Sequence, residues 1–184
     1  MTQMPYDHGG HIKLAYVSSV LDAPVSRVWS VLGDFHGLAA WVAMIAESSS
    51  EGGESVGSIR RLTLVDGRVV GERLVAYDDA CRCYSYEFSD APGPFPVRSY
   101  RGTVHVLPVT ETGQTFIEWY GQYDCEAAYV EELRTVFTGI YTEFVSNLRN
   151  HLSRTYKQCA KSDPPPGEAA DQRPAAGASA EECP

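Results

Sequence analysis

AAYVEELRTVFTGIYTEFVSNLRNHLSRTY, residues 127–156, is the stretch whose reading decides the fold. Val130, Leu133, Phe137, Ile140, Phe144 and Leu148 recur at steps of three and four, flanked by Tyr141, Val145 and Leu152. That spacing places them along one face of an α-helix, with Glu131, Glu132, Arg134, Glu143, Asn147 and Arg149 on the other. No Pro interrupts the run. Gly139 sits in its middle, where it costs about 1 kcal/mol relative to Ala, and it is expected to mark a bend or a close approach. Nothing else in the chain supports a helix this long. Its apolar stripe must be buried against another layer, and almost everything before it reads as strand.

Working back toward the N-terminus, Thr115 to Asp124 and Val97 to Leu107 read as strands around the turn 110–114. Cys81 to Ser89 is another, followed by a Pro/Gly loop from Ala91 to Pro96. Gly57 to Leu64 and Arg68 to Tyr77 form a hairpin, and Met44 to Ser50 is a weaker strand ending in a Ser/Gly/Glu-rich loop. Before these come a first strand, Ile12 to Leu21, and two short helices. Asp22 is expected to cap the first, with Pro24 in its first turn and Val25, Val28, Trp29 and Leu32 on one face. Gly33 ends it, and Asp34 caps a second that runs toward Trp41. The order is strand, two short helices, six antiparallel strands, long helix. It predicts an α+β fold in which a curved seven-stranded antiparallel sheet wraps the C-terminal helix and leaves room for a ligand between them.

Strand parity gives the inward face. Tyr84, Tyr86 and Phe88 share one side of their strand. Tyr100, Gly102, Val104 and Val106 point inward from the next, with Arg101, Thr103 and His105 outward. Ile117, Trp119, Gly121 and Tyr123 point inward from the last, with Glu118, Tyr120 and Gln122 outward. In the hairpin, Leu62, Leu64, Val70 and Leu74 define the inner side, and parity carries Arg60 and Glu72 inward with them. A three-residue loop, Val65-Asp66-Gly67, with Gly in the left-handed position, pairs Leu64 with Arg68, Leu62 with Val70 and Arg60 with Glu72. A two-residue turn would set inward residues opposite outward ones. An isolated buried charge is costly, so Arg60 and Glu72 need each other. Two readings stay open: a structural ion pair, or a polar anchor or acid/base pair for a ligand, with Arg60 favouring the ionised form of Glu72.

Composition narrows the function classes. The 184 residues carry a net charge of −9, which argues against nucleic acid and anionic membranes as partners. No apolar run approaches the roughly 20 residues a bilayer span needs, so no integral membrane association is expected. Residues 1–11 read as a polar flexible leader without a signal core, 12–157 as the ligand-binding domain, and 158–184 as a disordered Pro/Ala/Gly/acidic tail. The five cysteines show no metal spacing, and Cys81 and Cys83, one residue apart on a strand, are too close for a relaxed disulfide. They read as reduced, in a cytoplasmic protein. No metal set, nucleophile elbow or phosphate loop is present, so no metal or other cofactor is expected. His36 reads either as a solvent-facing loop residue or as a proton-transfer group near the pocket mouth. His8 and His11 lie in the leader. The outward Tyr120 offers a surface for a homodimer.

With these residues in place the chain resembles a known family. Ala23-Pro24 with Val28-Trp29, Asp34-Phe35, Trp41, residues 56–60, Asp66-Gly67, residues 72–74, Asp78-Asp79, residues 84–86, Pro96 with Tyr100, and Glu118-Trp119 follow one another as in the SRPBCC superfamily. More closely, the chain is similar to its polyketide cyclase/dehydrase group of START-like, helix-grip proteins. The resemblance covers Ile12 to about Leu152. It implies the birch-pollen-allergen type of fold with a deep hydrophobic pocket, and members include cyclases, alkaloid synthases, lipid carriers and hormone receptors. Arg60 and Glu72 match recurring family positions. The alkaloid-synthase type relies on a pocket Lys, and neither Lys13, Lys157 nor Lys161 falls on the inner face.

Three functions follow as expectations. The first is binding of a hydrophobic, aromatic or polyketide-like small molecule by Trp41, Arg60, Leu62, Glu72, Leu74, Tyr84, Tyr86, Phe88, Tyr100, Trp119, Phe137 and Tyr141. The second is a cyclase or dehydratase in which Glu72, Arg60 and Tyr100 move protons and position the substrate. The third is a ligand-gated protein-interaction module.

Overall fold

The computed structural model describes residues 15–91 and 93–162, with side chains described as far as residue 154. The expected leader, the start of the first strand, His8, His11 and Lys13, and the tail from residue 163 lie outside the described residues, as do the side chains of Lys157 and Lys161.

Seven antiparallel strands form one sheet in the order β1-β7-β6-β5-β4-β3-β2. They are β1 (Ala15–Leu21), β2 (Ile45–Glu51), β3 (Ile59–Leu64), β4 (Val69–Asp78), β5 (Cys83–Phe88), β6 (Val97–Val109) and β7 (Gln114–Cys125). Strands β2 to β7 run up and down as a meander, and β1 closes the far side by pairing with β7, Ala15 opposite Gly121 and Leu21 opposite Thr115. Register shifts within β2, β4 and β6 add local twist, which a sheet needs to curl.

The hairpin takes the expected register. Leu62 faces Val70 and Arg60 faces Glu72, the amide of Leu64 donates to the carbonyl of Arg68 over 2.8 Å, and Gly67 holds φ +85°, a conformation that favours glycine.

The long helix is continuous. A 3-10 turn, Ala127–Tyr129, leads into α2 (Val130–Ser162). The helix therefore extends beyond Lys157, where the sequence reading ended the domain. Leu133, Phe137, Tyr141, Phe144, Val145, Leu148 and Leu152 are buried. Tyr141, read as a flank, lies at the centre of the stripe, while Ile140 is half-buried. Gly139 is exposed, and a β-carbon there would meet nothing within 4 Å; the expected close approach is not at this glycine.

The early helices differ in detail. In α1 (Val25–Leu32) the capping residue is Pro24 rather than Asp22, and no side chain caps the helix. The second helix is a 3-10 turn, Gly37–Ala40, preceded by His36. Asp34 accepts from the His36 amide at 3.1 Å and so fixes the turn ahead of it. Trp29 anchors α1 by donating from Nε1 to Asp79 at 2.7 Å, and Arg27 donates to the Leu152 carbonyl at 2.8 Å, tying α1 to α2. Cys81 is not on β5 but in the preceding turn, where its amide donates to Asp78. It and Cys83 are therefore not strand neighbours on one face.

Strand parity places His105 and Glu118 on the face away from α2, yet both are buried, at 6% and 8% exposure. They stand directly opposite each other across β6 and β7, with His105 Nδ1 3.5 Å from the Glu118 carboxylate. Tyr16 donates to the other carboxylate oxygen at 3.1 Å. Alternation predicts the face of a residue; it does not predict how neighbouring side chains cover it.

Candidate functional site

Gly102 on β6 and Gly121 on β7 face each other directly in the sheet. Both point toward α2, and a β-carbon on either would run into tyrosine rings: Tyr86 and Tyr100 at Gly102, Tyr141 at Gly121. The missing side chains make the space in which the tyrosine hydroxyls gather. Tyr100 and Tyr141 share a hydrogen bond of 2.7 Å between their hydroxyls, and Trp119 donates from Nε1 to the Tyr86 hydroxyl at 2.9 Å. Burial pushes the hydroxyls of Tyr86, Tyr100 and Tyr141 well above the ordinary phenol range, with neighbouring tyrosines and Glu72 adding to the shift. They are uncharged hydrogen-bonding groups across the physiological range.

A cavity of about 80 Å³ lies against this cluster. The sheet supplies Leu62, Leu64, Val70, Glu72, Tyr86, Phe88 and Tyr100, and Met44 and Ile45 close the β2 side. Helix α2 supplies Phe137, Ile140, Tyr141 and Phe144, and Phe95 reaches in from the loop after β5. Phe88 stacks on Tyr100 with 4.3 Å between ring centres, and Phe95 meets Phe137 edge-on at 4.9 Å. The volume holds several waters or a small fragment, below the roughly 300 Å³ typical of a ligand pocket. A larger occupant must move side chains, and Phe95, half-buried on a loop, is the least constrained of the ring walls.

Among the described residues Glu72 is the only carboxylate in the lining, and no Lys, Arg or His joins it there. It is 8% exposed, whereas Arg60 is fully buried behind it. Arg60 donates from Nε to Glu72 Oε2 at 2.7 Å and from Nη1 to the Phe35 carbonyl at 2.6 Å. Its guanidinium lies 4.0 Å from the Phe35 ring centre and 4.9 Å from that of Tyr86, close enough for cation–π attraction. Burial alone would lower its pKa, but Glu72, with Tyr84 and Tyr86, holds it above the ordinary value. Nη2 is buried without a hydrogen-bond partner among the described residues, as is the Tyr84 hydroxyl nearby. Burial raises Tyr84 to about 12 against the pull of Arg60.

Of the twelve residues singled out from sequence, Leu62, Glu72, Tyr86, Phe88, Tyr100, Phe137 and Tyr141 line the cavity. Arg60, Leu74, Tyr84, Trp41 and Trp119 are buried around it without lining it. Trp41 packs edge-on against Phe144, 6.5 Å between ring centres. Sequence reasoning missed Met44, Ile45, Leu64, Val70, Phe95, Ile140 and Phe144 as wall residues. Four of them were within reach, since parity or helical spacing had already turned Leu64, Val70, Ile140 and Phe144 inward, whereas no face was assigned to Met44 or Ile45. Phe95 sits in a Pro/Gly loop, where no periodicity reports direction. His36 lies outside the cavity, with Nε2 at 3.3 Å from Ser58 Oγ and 3.4 Å from Ser50 Oγ. Among the described residues no three His, Cys, Asp or Glu side chains gather to hold a metal, and no helix is long and apolar enough to cross a membrane.

A family model described as polyketide cyclase / dehydrase and lipid transport matches residues 14–153. Among solved structures, a structural-genomics protein of Nitrosospira multiformis is 31% identical, with a TM-score of 0.64, over 78% of this chain and 98% of that one. Norcoclaurine synthase of Thalictrum flavum is 18% identical, with a TM-score of 0.62, over 77% of this chain and 94% of its own. Ginseng major latex-like protein is 18% identical, also at 0.62, over 74% and 94%. The last two show the fold alone, and that fold is the helix-grip arrangement expected from the resemblance. No curated protein matches the chain.

Proposed function

The chain belongs to the polyketide cyclase/dehydrase and lipid transport family, and from that premise we propose that it binds a hydrophobic, aromatic or polyketide-like small molecule between the sheet and α2. The observation that carries this reading is the cavity itself: a space walled by aromatic and aliphatic side chains with one carboxylate among them. A fold built only for stability gains nothing from a void, since unfilled space forfeits contacts. Native mass spectrometry of the freshly purified protein, with solvent extraction, tests it. A discrete adduct whose extract contains an aromatic or polyketide-like compound is the expected result. An apo mass that stays unchanged across a panel of such compounds contradicts it.

The position of Glu72 supports a second reading, a cyclase or dehydratase. Its carboxylate would take a proton from the methylene between two carbonyls of a folded poly-β-ketone. Tyr100, kept neutral by burial, would donate a hydrogen bond to the carbonyl oxygen as charge develops there. Arg60 would position Glu72 from behind. Holding the chain in a reactive shape would supply most of the acceleration, and acid/base help about 10²–10⁴-fold. Incubation with a poly-β-ketone thioester should give cyclised product with the native protein and at least tenfold less with Glu72→Gln at equal binding. Equal turnover by the two proteins removes the enzyme reading.

A further inference from the structure

The distribution of charge around the cavity restricts what it can hold. Among the described residues only one formal charge faces the space, that of Glu72. Its partner Arg60 is fully buried behind the wall, spends Nε on Glu72 Oε2 and Nη1 on the Phe35 carbonyl, keeps Nη2 buried without a partner among the described residues, and is not part of the cavity lining. Glu72 Oε1 accepts no hydrogen bond from any described residue, while the carboxylate keeps 10% side-chain exposure. The polar edge of the cavity is therefore an acceptor waiting for a donor. The remaining polar groups are tyrosine hydroxyls: Tyr100 and Tyr141 share one hydrogen bond and Tyr86 accepts from Trp119, and none of them brings a positive charge to meet an anion. Every other wall is apolar or aromatic.

We propose that the cavity selects an uncharged aromatic molecule whose hydroxyl donates to Glu72 Oε1, and that it discriminates against carboxylate-bearing ligands such as fatty acids. This rests on the reading of the cavity as a ligand site. A phenolic or alcoholic hydroxyl satisfies Oε1 without adding charge, and its ring finds edge and face contacts on Tyr86, Phe88, Tyr100 and Phe137. A carboxylate in the same place would bring a second negative charge beside Glu72 in a poorly solvated space, with no cation facing it. Two unit charges a few Å apart in such surroundings weaken binding by about a hundredfold. A ligand without a donor leaves Oε1 desolvated and unpaired, a loss of about tenfold. The pair Arg60–Glu72 is neutral as a whole, so the site gains no net attraction for a cation, and an amine is not favoured over a hydroxyl.

The test is isothermal calorimetry on the full chain with three compounds of one shape: 2-naphthol, 2-methylnaphthalene and 2-naphthoate at neutral pH. The expected order of affinity is naphthol, then methylnaphthalene, then naphthoate. Naphthoate binding as well as naphthol overturns the inference but leaves the ligand site standing, and would mean that Arg60 Nη2 swings in to meet the anion. Methylnaphthalene matching naphthol also overturns it, because Glu72 then plays no part in recognition. Binding of none of the three, even to a Phe95→Ala protein with an enlarged cavity, overturns the ligand site and the inference together. The comparison is made on the native protein, so it does not depend on a Glu72 variant folding.

Discussion

Arg60 and Glu72 concentrate the energetics of the site. Removing one partner leaves the other charged and buried, which costs about 3–5 kcal/mol, whereas replacing both with apolar residues of similar size removes the need for either. Arg60→Met is therefore expected to lower the unfolding free energy by several kcal/mol, and the double variant Arg60→Met/Glu72→Leu to recover most of it; urea unfolding of the three proteins measures the difference. Additive losses in the double variant would mean that the pair contributes through its separate contacts, chiefly the Phe35 carbonyl. The tyrosines give a second expectation. Tyr84, Tyr86, Tyr100 and Tyr141 all have raised values in the folded protein. Their neutral forms are favoured by folding, so that contribution is complete below about pH 10, the ordinary tyrosine value, and is lost as pH rises through the folded values. Stability should fall steadily above pH 10, and tyrosinate absorbance from these four should appear only with unfolding. Titration of all the tyrosines before the circular dichroism changes would contradict their burial. The pairing of Arg60 with Glu72 was legible in sequence, because Gly67 fixes the turn and parity does the rest. That Glu72 opens on the cavity while Arg60 retires behind it was not, since it depends on Phe35, brought from the segment after α1 to cover the guanidinium.

Among the elements, one glycine in a β-strand and one in a helix make opposite predictions. Gly121 is pressed by Tyr141 from α2, so Gly121→Ala forces the tyrosine out of its bond with Tyr100 and is expected to cost about 1–3 kcal/mol. Gly139 in α2 is exposed with open space around it, so Gly139→Ala should stabilise the protein by up to about 1 kcal/mol. Thermal unfolding of the two variants against the parent settles both signs. Reading the sequence identified the helix and its buried stripe but took the mid-helix glycine as marking a bend or a close approach, and the close approach is not there. Propensity singles out a helical glycine because it is unfavourable there. A strand glycine opposite another glycine reveals its purpose only once the strands are in register and the helix side chains are placed. The same limit explains Tyr141. Counting in threes and fours assigned it to the flank, and the packing of α2 on Gly121 and Trp119 brings it to the centre. On the outer face of the sheet, His105 and Glu118 were placed correctly by alternation, while their burial depends on neighbours such as Tyr16.

At the scale of the molecule, the curved sheet, α2 and the loop carrying Phe95 together wall a space lined by aromatic and aliphatic side chains. The order of strands and helices was legible because each has its own period, whereas the pairing of β1 with β7 was not, since local patterning does not encode it. The size of the cavity was not legible. It depends on rotamers of Phe88, Phe95 and Tyr100, which no spacing rule fixes. The central claim is that a hydrophobic molecule occupies this space rather than a surface patch. Methyl NMR during titration with 2-naphthol tests it most directly. The account predicts shifts at Met44, Ile45, Leu62, Leu64, Val70 and Ile140, the methyl-bearing residues of the cavity wall, with Val20 and Leu107, both exposed at the surface, unchanged. Shifts confined to Val20 and Leu107, or none at saturating ligand, would contradict it.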